Sequence, residues 1–227
     1  MKVVLFDIDG TILHSGGAGR LAMIQAFEEM FGISNGFDGI SMAGNTDPLI
    51  IKMALEKHDI ENVEEKIDQF KLKYFVLLSE NIKRNLPEKR IYPGVEIILE
   101  EMLEHSDIIL GLLTGNWNEG AKIKLGHFDL YKYFPFGAFG SDAFDRNDLL
   151  PIALDRCSLC KNIGITAKDV IVIGDTPNDV KCAKVHGARA LGVATGSFSK
   201  VFLKEVGADL AVQNLSDYKY ILNWILN

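Results

Sequence analysis

Cysteine is scarce: three residues in a chain of 227. An odd, small number excludes a disulfide framework and fits a reducing cytoplasm. Long apolar runs are missing too. No stretch approaches the roughly 20 residues of a membrane helix. The N-terminal run Val3–Phe6 is too short for a signal peptide, and Asp7 and Asp9 follow it at once. Basic charge is in deficit, with 24 Lys and Arg against 31 Asp and Glu, giving a net charge of −7 and a pI near 5.3. That balance excludes the basic stripe of a nucleic-acid binder and gives no attraction to anionic membranes. Repeats and low-complexity tracts are absent as well.

What is present is the composition of an ordinary globular protein: 48% hydrophobic and 24% charged residues. A chain of this length buries about 70% of its unfolded surface, so it folds without a disulfide or metal staple. Short apolar runs punctuate it at Val3–Phe6, Ile108–Leu113, Phe136–Phe139, Val170–Ile173, Ala190–Val193 and Leu210–Val212. They lack polar alternation, which suits strands of a parallel sheet covered on both faces. Helical periodicity fills most gaps, over residues 94–104, 147–160, 178–186 and 218–226. Strand–helix alternation of this kind predicts a doubly wound α/β fold.

One segment breaks the rhythm. From Ser15 to about Pro87 there is helix and loop without a buried strand. Helices are expected over 18–31, 47–57 and 63–85, the second with Asp47 as cap and Pro48 at its first position. The chain returns at Tyr92-Pro93-Gly94-Val95. The division expected is an α/β core of residues 1–15 and 91–227, interrupted by a helical unit of 16–90.

In a parallel sheet the strands end on one edge, where ligands bind. The segments after the runs are Asp7-Ile8-Asp9-Gly10-Thr11, Thr114-Gly115-Asn116, Gly140-Ser141-Asp142 with Arg146 beyond, and Gly174-Asp175-Thr176-Pro177-Asn178-Asp179. Each alone reads as turn and cap residues. Together they crowd Asp7, Asp9, Asp175 and Asp179 into one region, where unpaired carboxylates repel. A hard divalent cation such as Mg²⁺ resolves the conflict.

The first, second and fourth of these segments resemble, in the same order, three signature motifs of the haloacid dehalogenase superfamily. The helical insertion and the Tyr92-Pro93-Gly94 return resemble its phosphoglycolate phosphatase and β-phosphoglucomutase branch, which implies a Rossmann-like core with an inserted α-helical cap. The resemblance implies Asp7 as nucleophile and Asp9 as acid and base, supported by Gly10 and by Thr11 orienting Asp9. Thr114, Gly115 and Asn116 would bind the phosphoryl group. Asp7, the Asp9 carbonyl, Asp175 and Asp179 would hold Mg²⁺. The family's usual Lys-Pro is missing; Arg146 stands in its place, against the alternative of a solvated arginine. Lys122 reads as a surface charge, His14 has no catalytic role, and Cys157-x-x-Cys160 reads as core packing. Met42–Asp47 resembles a loop closing over the substrate, with hinges near Ser15 and Ile91.

The implied activity is Mg²⁺-dependent hydrolysis of a small phosphorylated metabolite through an aspartyl phosphate, by a cytoplasmic monomer or weak dimer without nucleic-acid or membrane partners. A sugar-phosphate mutase shares this machinery. A dehalogenase would not need Asp9, and a non-catalytic binding protein would not need Asp7.

Overall fold

The computed structural model describes residues 1–161 and 164–227, apart from the side chains of Cys160 and Lys161. Among the described residues, no helix is long and apolar enough to cross a membrane.

The chain opens with β1 (Lys2–Phe6) and the two-residue β2 (Leu13–His14). Three helices follow: α1 (Ala18–Phe31), α2 (Asp47–Lys57) and α3 (Val63–Asn81). The strand β3 (Arg90–Ile91) then pairs antiparallel with β2, Leu13 opposite Ile91, and closes the neck of the helical excursion. Beyond it come α4 (Val95–Leu103), β4 (Ile108–Thr114), α5 (Asn118–His127), β5 (Gly137–Phe139) and α6 (Leu149–Lys161). The chain finishes with β6 (Val170–Gly174), α7 (Pro177–Val185), β7 (Arg189–Val193), α8 (Lys200–Glu205), β8 (Leu210–Val212) and α9 (Tyr218–Leu226).

The six long-range strands form one parallel sheet in the order β5-β4-β1-β6-β7-β8. Alternate residues point to opposite faces of a strand, so each apolar run feeds two cores. Val4, Phe6, Leu110, Leu112, Ile171 and Ile173 pack on one face with residues of α4, α5 and α9. Val3, Leu5, Ile109, Leu113, Val170 and Val172 pack on the other, with residues of α6, α7 and α8. Burial on both faces explains why these strands read as continuous apolar runs. The Cys157 side chain lies in the second core, as its reading as core packing requires; the Cys160 side chain is outside the described residues.

α1–α3 have a core of their own, built on Phe27, Ile51, Leu55, Phe70, Tyr74 and Leu78. Two residues from the sheet side join it, Ile123 of α5 at its margin and Trp117 within it. Trp117, in the turn between β4 and α5, is 3% exposed and stands 5.5 Å from the Tyr74 ring and 5.9 Å from that of Phe75. The helical unit is therefore packed against the sheet's C-terminal edge rather than tethered to it by the neck alone.

β1 lies at the centre of the sheet, with β4 on one side and β6 on the other. The chain passes from β5 at one edge back to β6 beside β1, which makes the C-terminal ends of β4, β1 and β6 the switch point where such sheets bind ligands.

Candidate active site

Asp7 follows β1 directly, Thr114 ends β4, and Asp175 follows β6. Register thus carries all three to one end of adjacent strands. Asp179 sits in the first turn of α7 and closes a capping box there: its Oδ2 accepts from the Thr176 N–H (2.9 Å) and from the Thr176 hydroxyl (2.7 Å). Pro177 at the first helical position needs no N–H partner.

Asp7, Asp175 and Asp179 are all buried, and one oxygen from each lies within 4.8 Å of the other two. Arg146, 6% exposed, donates to Asp7 Oδ1 at 3.0 Å, to the Leu113 carbonyl at 3.2 Å, and to Asp179 Oδ1. The sequence alternative of a solvated arginine is thereby removed. Burial opposes the charge of Arg146, but Asp179 and Asp7 more than offset it and hold the guanidinium protonated. Burial pushes the Asp7 carboxyl up to about 6, with Arg146 pulling it down and Asp179 pushing it up. Burial likewise raises Asp175, and Asp179 and Asp7 raise it further.

Charge arithmetic shows what the cluster is short of. With all three carboxylates ionised against one guanidinium, 3 − 1 = 2 negative charges would stand in a desolvated pocket, the charge a divalent cation would balance. The donor set fits such an ion: hard oxygens only, with Asp7 and Asp175 retaining free lone pairs while Asp179 is engaged on both oxygens. Backbone room is made by Gly10, at φ +86, where a Cβ would fall 2.3 Å from Asp175 Oδ2.

Asp9 stands apart from this cluster. Its side chain is 41% exposed and turns to Lys124, whose Nζ lies 2.5 Å from Oδ2, and to Asn116, whose Nδ2 donates to the same oxygen at 2.9 Å. The Asp9 side chain is thus not among the clustered carboxylates. Thr11 corrects the sequence expectation. Its hydroxyl donates to Asp175 Oδ1 at 3.2 Å, because the turn after Gly10 swings it toward β6, so it orients Asp175 rather than Asp9. Asp142 is also diverted: it accepts two bonds from Arg156, at 2.6 and 2.8 Å, and braces the turn after β5. His14 accepts from the Gly16 N–H at 3.2 Å at the rim. Lys122 is a surface residue paired with Glu119 at 3.5 Å.

A cleft of about 680 Å³ opens above these groups, bounded by Asp7, Asp9 and Asp175 below and by Met23, Asp47 and Tyr74 of the helical unit above. The 42–47 loop lies on the sheet domain. The Asp47 N–H donates to the Gly115 carbonyl (2.7 Å), its Oδ2 accepts from the Trp117 N–H (2.9 Å), and the Thr46 hydroxyl donates to the Phe144 carbonyl (2.6 Å). Asp47 is therefore the first residue of α2 and not its cap, which is Thr46; the carboxylate is spent on the other domain. Gly115 permits the approach, since a Cβ there would meet the Asn45 carbonyl oxygen at 2.2 Å.

Lys124, Tyr74 and the bond from Asp47 were not anticipated from sequence. Lys124 carried a signal: with Ala121 and Leu125 it occupies the buried stripe of α5, three and one positions away, whereas Lys122 falls on the far side.

A sequence model for the family described as haloacid dehalogenase-like hydrolase matches residues 4–193. Among curated proteins, the chain is 25% identical to a phosphoglycolate phosphatase of Pseudomonas savastanoi pv. phaseolicola over 86% of this chain and 70% of the relative. It is 24% identical to a phosphoglycolate phosphatase of Vibrio parahaemolyticus, over 96% and 94% of the two chains. A solved hydrolase from Pseudomonas syringae superposes with a TM-score of 0.72 at 20% identity, covering 99% of both chains, a likeness in fold. The motifs on three strand ends, the helical unit above them and the match over most of the chain converge: this chain belongs to the haloacid dehalogenase-like hydrolases.

Proposed function

We propose that the chain is a Mg²⁺-dependent phosphatase of small phosphomonoesters, working through an aspartyl phosphate on Asp7, with residues 16–90 as a cap over a core of 1–15 and 91–227. The observation that carries this reading is the separation of two carboxylates two residues apart. Asp7 is buried in the cation-deficient cluster, while Asp9 is held outside it in a polar clamp. One is thereby suited to attack and the other to proton transfer. The curated relatives named phosphoglycolate phosphatase support a phosphomonoester as substrate.

Asp7, Asp175 and Asp179 would hold Mg²⁺ together with the Asp9 carbonyl, and the ion would polarise the phosphoryl oxygens and neutralise charge building on them. Arg146 keeps Asp7 ionised and aimed, by its 3.0 Å contact, so the free Asp7 oxygen can add to phosphorus. The Thr114 hydroxyl and the Gly115 main chain are the proposed phosphoryl donors. As the ester P–O bond breaks, Asp9 delivers to the leaving oxygen a proton held on Oδ1, the oxygen that Lys124 and Asn116 leave free. It then takes one from the water that hydrolyses the acyl phosphate. The Asn116 side chain is turned to Asp9, which leaves phosphoryl binding at this position to the main chain.

The test is turnover of a panel of alkyl and aryl phosphates with Mg²⁺, with a chelator, and in Asp7→Asn. Metal-dependent release of inorganic phosphate, lost in Asp7→Asn, is the expected result. No turnover across the panel refutes the reading. Isomerisation of sugar phosphates with little free phosphate would assign the mutase reaction instead.

A further inference from the structure

We propose that Lys124 is a positioning residue for this reaction: it fixes the Asp9 carboxylate and the orientation of the Asn116 amide, and through that amide it directs the Thr114 hydroxyl. The inference rests on the phosphatase reading above and extends it to a residue outside the three motifs.

Lys124 lies in the last turn of α5, yet it is 4% exposed. A buried ammonium persists only where partners replace its water. Lys124 has two at short range, Asp9 Oδ2 at 2.5 Å and Asn116 Oδ1 at 2.6 Å. Burial acts against its charge, and Asp9 and then Asp47 restore it.

The chemistry of the donors fixes the rest. An ammonium has three N–H bonds and no acceptor. The Asn116 atom facing it must therefore be the carbonyl oxygen, which places the amide nitrogen at the opposite end. From there Nδ2 donates to Asp9 Oδ2 at 2.9 Å and to Thr114 Oγ1 at 2.9 Å. Thr114 Oγ1 also accepts from the Asn116 N–H at 3.3 Å. With that oxygen accepting twice, the hydroxyl hydrogen is left to donate elsewhere. Its position at the end of β4 makes the substrate's phosphoryl oxygen the natural acceptor. Remove the ammonium and the amide is free to turn over. The flipped amide would set its oxygen against the Asp9 carboxylate and offer Thr114 an acceptor instead of a donor.

The surroundings are cut to fit this side chain. A Cβ on Gly19 of α1 would lie 3.1 Å from Lys124 Nζ and 3.2 Å from its Cε. The same point is 3.6 Å from the hydroxyl of Tyr74, a buried oxygen without a hydrogen-bond partner among the described residues. The cap thus approaches Lys124 through a residue with no side chain.

The experiment compares Lys124→Met and Gly19→Ala with the wild type on an alkyl ester, glycerol phosphate, and an aryl ester, p-nitrophenyl phosphate, and measures inhibition by inorganic phosphate. An alkoxide needs the Asp9 proton and a nitrophenolate does not. Lys124→Met is expected to lose about 100-fold in kcat on the alkyl ester, the lower end of a general-acid contribution, but no more than about 10-fold on the aryl ester. Its Ki for inorganic phosphate should rise several-fold as Thr114 loses its direction. Gly19→Ala should show the same pattern in weaker form, because the methyl group displaces Nζ by a few tenths of an ångström. Equal losses on the two esters with an unchanged Ki would reduce Lys124 to packing and overturn the proposal. If Lys124→Met does not fold, Gly19→Ala decides alone, and a wild-type ratio of alkyl to aryl turnover there overturns it. A wild-type enzyme inactive on both esters would instead remove the phosphatase reading and this proposal with it.

Discussion

Replacing Asp47 by Asn should stabilise the protein at pH 8 and leave it nearly unchanged at pH 4. The Asp47 carboxylate is buried where the helical unit meets the sheet, and burial pushes it up to about 7 from 3.8. Lys124 and the Trp117 N–H pull it down, whereas Asp9 and Asp7 push it up. An acid whose folded value is raised holds its proton more tightly when folded. Its contribution is complete below about 3.8 and is lost as the pH rises to about 7, beyond which the difference is flat. About 3 pH units at 1.36 kcal/mol each sets the cost of the ionised form at no more than about 4 kcal/mol. Asparagine keeps a carbonyl oxygen for the Trp117 N–H and the main-chain N–H for Gly115, so the latch survives without the charge. Urea unfolding of both proteins, at intervals from pH 4 to 8 with chelator present, isolates the effect as a difference in which other groups cancel. That difference should grow from near zero to a few kcal/mol in favour of Asp47→Asn. A pH-independent difference, or a less stable variant at pH 8, would refute the reasoning.

Three further outcomes follow from the site. Arg146→Met leaves Asp7 and Asp179 facing each other without their cation and should cost about 3–5 kcal/mol in chelator by urea unfolding, with part recovered in Mg²⁺. Mg²⁺ should raise the thermal midpoint of the wild type in proportion to the logarithm of its concentration, and Asp175→Asn should abolish the rise, as scanning calorimetry can show. Gly115→Ala drives a methyl group into the Asn45 carbonyl oxygen and should lift the 42–47 loop, raising KM about 10-fold or more with the core fold retained by circular dichroism.

The sheet was legible because its central strands are buried on both faces and so read as uninterrupted apolar runs; the three-residue β5 and β8 gave only short, weaker ones. α8 was missed: it is a six-residue helix with only Leu203 buried, too short for periodicity to register. α3 was drawn four residues too long, since Ile82 continues the apolar stripe after the helix has ended. At the site, the acids were legible because they follow strand ends. What each one touches was not. Thr11 and Asp9 are two residues apart, yet the turn at Gly10 sends one to Asp175 and leaves the other to Lys124. Asp47 and Lys124 meet the site through tertiary packing between units far apart in sequence, and no local pattern records that.

The placement of Trp117 gives the molecule an optical gauge. The chain has two tryptophans, and Trp224 sits under the Arg189 guanidinium, 3.8 Å from its ring, in the last helix. Trp117 belongs to one body by its chain and to the other by its contacts, so its indole loses its apolar surroundings when the two separate. Emission from a Trp224→Phe variant should therefore shift to the red if the helical unit lifts off the sheet, since Trp117 starts out buried. The gap between the two bodies becomes readable in solution, in real time, without a label.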